Sequence, residues 1–164
     1  MGSLEQIERV DLLGQWPGEM PVSFLYTAGV AGERFLRELK DKGRFLGSRC
    51  PDCDYTYLPP RLYCERCFAE LKDWVPVGPR GTVEALTVAH LGLDGEPLAQ
   101  PETFALIRLD GADGLLLHRI KAPAGAELEV GATVEPVFLA AAARKGSILD
   151  IQHFRPARAG RRPS

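Results

Sequence analysis

The chain has 164 residues and a mass of 18.0 kDa, with 45% hydrophobic residues, 26% charged residues and a formal net charge of −2. This size suits one compact domain, or one domain with a small module, and the composition excludes a disordered or collagen-like chain. No apolar run approaches the ~20 residues of a membrane span, no charged-then-apolar leader opens the sequence, and so weak a net charge gives no general attraction to nucleic acid or membranes. The expected location is cytoplasmic. From Arg155 to Ser164 there are four arginines and no acid, so a basic tail follows an acidic body.

Residues 1–29 contain Trp16-Pro17-Gly18 and Met20-Pro21. They read as an extended arm with at most a short helix near Leu4 to Leu13. Trp16, Phe24, Leu25 and Tyr26 show little periodicity, so the arm is expected to lie across a surface, its own or a partner's. Ala31 to Lys42 then sets Phe35, Leu36 and Leu39 at helical spacing and Glu33 four residues before Arg37. Gly43 is a natural stop. Residues 1–43 are therefore an arm and a helix whose narrow apolar stripe packs on the next module or on a partner.

The four cysteines form two CxxC pairs, Cys50-Pro51-Asp52-Cys53 and Cys64-Glu65-Arg66-Cys67, ten residues apart. Two residues between thiolates let a tight turn aim both sulfurs at one tetrahedral ion. Two such knuckles supply four ligands and leave no open position, which marks a structural site. Disulfides are disfavoured in a reducing compartment, and a redox CxxC expects a βαβ setting that is missing here. Zinc is the expected ion, and rubredoxin-type iron uses the same ligands. Residues 44–73 thus read as a small rubredoxin-like ribbon, with Tyr55, Tyr57 and Tyr63 packed along its inter-knuckle hairpin. Asp54 and Phe68 stand where such knuckles often place glycine. Phenylalanine tolerates positive φ poorly, so the second knuckle is expected to turn less regularly.

Short strands follow, separated by turn signals. Trp74 to Val77 ends at Gly78-Pro79. Gly81 to His90, Thr103 to Leu109, Leu115 to Ile120, Thr133 to Leu139 and Ser147 to Phe154 then give five strands in about 75 residues, which suits a five-stranded barrel of OB type over residues 74–156. Periodicity alone leaves a sandwich open. Residues 157–164 form the basic tail.

With all four cysteines assigned to metal, no thiol nucleophile remains. His90, His118 and His153 lie in or at the ends of strands, where packed or surface histidines are the rule. No Ser-His-Asp order, HExxH, P-loop or GxGxxG is present, and Gly111 to Gly114 is a turn. Arg61 follows Pro59-Pro60, whose fixed φ holds it in one direction. A guanidinium so held suits a carboxylate or a phosphate, or else an ion pair between ribbon and barrel. Arg155, before Pro156, has the same two readings.

The order of helix, paired CxxC ribbon and five-stranded barrel resembles the acyl-CoA-associated zinc-ribbon/OB-fold family, long catalogued as a domain of unknown function. The resemblance rests on Cys50 to Cys53, Pro59-Pro60-Arg61, Cys64 to Cys67, Trp74 to Gly78, Gly81 to Glu84, Ala105 to Asp110 and Phe154-Arg155-Pro156, and covers residues 24–157. It implies a mainly β fold and a non-catalytic accessory subunit bearing structural zinc. Such a subunit docks on a thiolase-like enzyme that forms or cleaves a carbon–carbon bond in an acyl-CoA thioester. The catalytic residues belong to the partner, and a coenzyme A thioester is shared with it. Tyr57, Arg61, His118, Arg119 and Arg155 are then the candidate contacts to CoA or partner. His118 departs from the glycine that family members often carry. A single-stranded nucleic-acid module is the rival, but the barrel strands hold few lysines and only Phe104, Phe138 and Phe154 as aromatics. A free-standing CoA-binding regulator is a third alternative.

Overall fold

The structure, a computed structural model, describes residues 26–92, 94–123 and 128–157. The expected arm up to Leu25, the short helix near Leu4 to Leu13 and the tail from Arg158 lie outside the described residues. Helix α1 runs from Gly29 to Lys42 and buries Ala31, Phe35 and Leu39 along one stripe. Lys40 and Lys42 complement the dipole of its last turn. Gly43 ends the helix in the left-handed region at φ 60°, its N–H donating to the Leu39 carbonyl at 3.1 Å.

Two antiparallel sheets follow. The smaller has the order β2-β1-β3, from β1 (Phe45–Cys50), β2 (Tyr55–Tyr57) and β3 (Asp73–Val77). The central strand is buried at every position but Arg49. Gly47 is required there, because a Cβ would stand 2.9 Å from the Tyr57 carbonyl oxygen. The larger sheet has the order β6-β5-β4-β7-β8, from β4 (Gly81–Leu91), β5 (Pro97–Leu109), β6 (Leu116–Arg119), β7 (Thr133–Phe138) and β8 (Ile151–Pro156). Its edges, β6 and β8, meet through one parallel bridge, Ile120 to Phe154, where the Lys121 N–H donates to the Phe154 carbonyl at 2.8 Å. The barrel is thus of OB type and partly open.

Two element boundaries differ from expectation by more than two residues. Strand β5 begins at Pro97 rather than Thr103, lengthening the hairpin with β4. The last strand begins at Ile151 rather than Ser147, because Ile148–Asp150 forms a 3-10 turn. The buried Asp150 carboxylate accepts the N–H groups of Lys145, Gly146 and Ser147 at 2.9, 2.7 and 3.2 Å, and Ser147 Oγ accepts that of Leu149 at 3.2 Å. Local side-chain acceptors outcompete the strand ladder here.

A large core joins α1, β1 and β3 to the barrel strands, and a smaller cluster of Cys50, Tyr57, Cys64 and Leu71 lies within the ribbon. The Phe45 ring from β1 lies 6.5 Å from Phe35 of α1, 5.5 Å from Phe138 of β7 and 6.1 Å from Phe154 of β8. Leu39, Val77, Ile107, Leu109 and Ile151 complete the same cluster.

Candidate metal centre

Strand β1 delivers Cys50, a tight turn follows with Cys53, and β2 returns the chain. The second knuckle is drawn in by the Tyr63–Glu70 bridge, the Cys64 N–H donating to Ala69 at 2.9 Å and the Phe68 N–H donating to Cys64 at 3.0 Å. Asp54 and Phe68 both take positive φ, 47° and 60°. The less regular second turn expected from the sequence is not seen: Phe68 adopts the left-handed conformation its knuckle needs, with its ring 80% exposed. The strain of about 1–2 kcal/mol for a non-glycine residue there is accepted for the position of the sulfurs.

The four Sγ atoms lie within 4.8 Å of one another, with Cys50–Cys67 at 3.5 Å and Cys53–Cys64 at 3.8 Å. A tetrahedron with metal–sulfur bonds of about 2.3 Å has edges of about 3.8 Å. The donor set therefore fits a zinc-sized ion: four soft sulfurs, tetrahedral, with no place for a substrate. Cys50 and Cys64 are buried, Cys53 is half-buried and Cys67 is exposed.

The Tyr57 hydroxyl is the partner of one sulfur. It is buried, accepts the Glu65 N–H at 3.2 Å and stands 3.3 Å from Cys64 Sγ. Toward a Cys64 thiolate, which has no proton to give, the hydroxyl is the donor. That bond, assisted by backbone N–H groups including that of Arg66 at 3.4 Å, holds the Cys64 thiol down to about 6 and pushes Tyr57 up to about 12. Hydrogen bonding to Cys67, with burial, pushes Cys53 up to about 12, and burial raises Cys50. Cys50 and Cys53 thus resist ionising beside the neighbouring sulfurs, a condition that a bound dication relieves.

The ribbon is clipped to the barrel by the turn after β5. Asp113 Oδ2 accepts the Thr56 N–H at 2.8 Å, and the N–H groups of Asp113 and Gly114 return bonds to the Thr56 carbonyl at 2.9 and 3.2 Å. Gly114 lies so close to Leu58 that a Cβ would stand 2.6 Å from its carbonyl oxygen. The sequence marks only a turn at this point; nothing local reveals that it grips a strand so distant in sequence. A cavity of about 380 Å³ lies beside the clip, lined by Tyr55, Tyr57, Arg61, Glu65 and Leu115 among others.

The five candidate contact residues fall in three places. Arg61 and Tyr57 share that cavity. The Arg61 N–H donates to buried Ser48 Oγ at 2.9 Å, while its guanidinium lies 5.4 Å from the Tyr57 ring centre and pairs with Glu65 at 2.5 Å. The pair is internal to the ribbon and does not bridge ribbon and barrel. His118 and Arg119 stand at the open edge of the barrel. Arg119 pairs with Glu102 at 3.2 Å. His118 is buried, with its ring nitrogens 3.4 Å from the carbonyl oxygens of Arg119 and Ile148. Burial holds its pKa below the usual histidine value. Arg155 pairs across the β7–β8 ladder with Glu135 at 2.8 Å.

Fold and site together define a rubredoxin-like zinc ribbon joined to an OB fold. Two family models match in that order: the ChsH2 rubredoxin-like zinc ribbon domain over residues 37–72 and the ChsH2 C-terminal OB-fold domain over residues 74–139. The chain belongs to this ChsH2-type zinc-ribbon/OB-fold family. Among solved structures, a DUF35-family protein of unknown function from Sulfolobus solfataricus is similar at 28% identity and a TM-score of 0.61, covering 79% of this chain and 87% of that one. The Ltp2-ChsH2(DUF35) aldolase shares the fold at 24% identity and a TM-score of 0.54, covering 76% of this chain and 93% of that chain. No curated protein matches the chain.

Proposed function

We propose that this chain is a non-catalytic accessory subunit with structural zinc at Cys50, Cys53, Cys64 and Cys67. It docks on a thiolase-like enzyme of acyl-CoA thioesters and helps to shape or cover the thioester site. The observation that carries the docking is the far half of the β4–β5 hairpin. Strand β4 pairs with β7 at Gly81 and Thr82 and bonds Gly131 and Ala132 through Val83, while β5 pairs with β6 from Phe104 to Ile107 and its Thr103 carbonyl accepts the Ile120 N–H at 2.9 Å. Toward the tip beyond Val83 and Thr103 the two strands pair only with each other among the described residues, and Val88 and Leu91 are 49% and 59% exposed. An isolated two-stranded ribbon is marginal in water, and aliphatic side chains at its end gain by burial against a partner.

Family membership supports the same reading, since ChsH2, for which both matched domains are named, is a component of the Ltp2-ChsH2 aldolase. The chemistry agrees. All four cysteines sit in one closed cluster, and no buried side-chain nitrogen or oxygen lacks a partner among the described residues. Arg61 and Tyr57, in the cavity beside the clip, are the proposed contacts to the thioester's phosphates or to the partner. Arg119 and Arg155, surface guanidiniums each balanced by a glutamate, are proposed rim contacts.

The test is purification of the tagged chain from its own cells. A thiolase-like subunit in fixed ratio is expected, and Val88→Asp with Leu91→Asp should abolish its recovery while leaving zinc content unchanged. A lone zinc protein, or one carrying RNA, overturns the proposal.

A further inference from the structure

Beyond the Ile120–Phe154 bridge no pairing joins β6 to β8 among the described residues. The seam opens there into a cavity of about 650 Å³, within the range of protein ligand sites. Its walls include Phe104, Leu117, Ile148, Leu149 and Ile151, with Leu117 59% and Leu149 66% exposed. Arg119, Lys121, His118 and His153 also line it. Arg119 is balanced by Glu102 and both histidines are held below the usual histidine pKa, so Lys121 is the cation left at this wall. A segment that is apolar, with one acid placed at Lys121, suits these water-facing leucines.

The chain carries such a segment. Residues 12–25 contain Leu12, Leu13, Trp16, Val22, Phe24 and Leu25, with Glu19 as their one acid and no lysine or arginine. This segment joins the described fold at the right place. Ala28 lines one cleft with Lys145 and Gly146, and α1 packs against the Ile148–Asp150 turn that walls the seam. Ten residues from Trp16 to Leu25 reach up to about 33 Å when extended. We propose that residues 12–25 of the same chain occupy the seam groove, with their apolar side chains over Leu117 and Leu149 and Glu19 facing Lys121. The proposal is independent of the docking ribbon at Val88 and Leu91.

Trp16 and Trp74 are the only tryptophans, so Trp74→Phe leaves Trp16 as the sole reporter. The difference spectrum between wild type and Trp16→Phe gives the same signal without disturbing Trp74. The expected result is blue-shifted Trp16 emission shielded from acrylamide in the isolated full-length chain. Leu149→Asp or Leu117→Asp should return it to the solvent-exposed spectrum. Lys121→Glu, which sets like charge against Glu19, should do so in part, and Val88→Asp should leave it unchanged. Zinc content and circular dichroism confirm that each variant is folded. Solvent-like emission in the parent overturns the proposal, as does a blue shift that survives both leucine substitutions. A blue shift that disappears on dilution assigns the groove to a second copy's arm and overturns it as well.

Discussion

The ribbon and the barrel reach order by opposite means. In the ribbon, geometry is imposed by four sulfurs drawn from two short turns, and the backbone yields to them, even to a left-handed Phe68. In the barrel no single group dictates anything; five strands distant in sequence close around Phe154, Ile107 and Val134, and one bridge joins the edges. Local ligand geometry writes itself into sequence as spacing, whereas long-range packing writes itself only as alternation. Yet the two regions are not independent, because Phe45 sits in both.

The strongest way to break the comparison is to remove a ligand. Cys64→Ser should empty the ribbon of metal, a site class whose ion contributes about 10–16 kcal/mol of folding energy in isolated peptides. Because Phe45 joins ribbon to barrel, the expected outcome is one lowered thermal transition for the whole chain, measured by calorimetry with zinc analysis. A barrel transition left at its original temperature would show the regions to be separable. A smaller effect is expected at the clip. Asp113→Ala leaves the buried Thr56 N–H without its carboxylate and should cost about 1–3 kcal/mol. Hydrogen exchange should quicken at Thr56 and Gly114 while zinc content stays unchanged.

The smallest effect is expected from pH. Burial depresses the pKa of His118, and burial together with nearby Lys121 and Arg155 depresses that of His153. The folded state therefore binds fewer protons than the unfolded state, whose histidines titrate near 6.5. Their contribution is intact above about pH 6.5 and is lost as the pH falls through the lower folded values. Urea midpoints taken from pH 7.5 to 5 should decline, and His118→Gln should flatten that slope without altering the metal.

Much of this was legible in advance. The paired CxxC spacing singled out the four cysteines that the fold brings together, the Phe35–Leu39 stripe and Gly43 located the helix, and β-rich runs between turn signals located the barrel strands. Strand β1 was not legible as a strand, since Phe45 to Cys50 is too short and too uniformly buried to alternate. Ser147 to Asp150 misled because its isoleucine and leucine look strand-like while Ser147 and Asp150 cap a turn. The partners of Arg61 and Asp113 were hidden for different reasons: Glu65 is adjacent in a turn whose direction spacing does not give, and Thr56 is remote. The Tyr57–Cys64 bond needed the fold itself, for only there does the hydroxyl meet both a donor and a sulfur.

Phe45 makes the ribbon and the barrel one packed body. Its ring is wedged among α1, β7 and β8, and its backbone belongs to the strand that ends at Cys50. The sulfur cluster and the barrel therefore share a wall, not a linker.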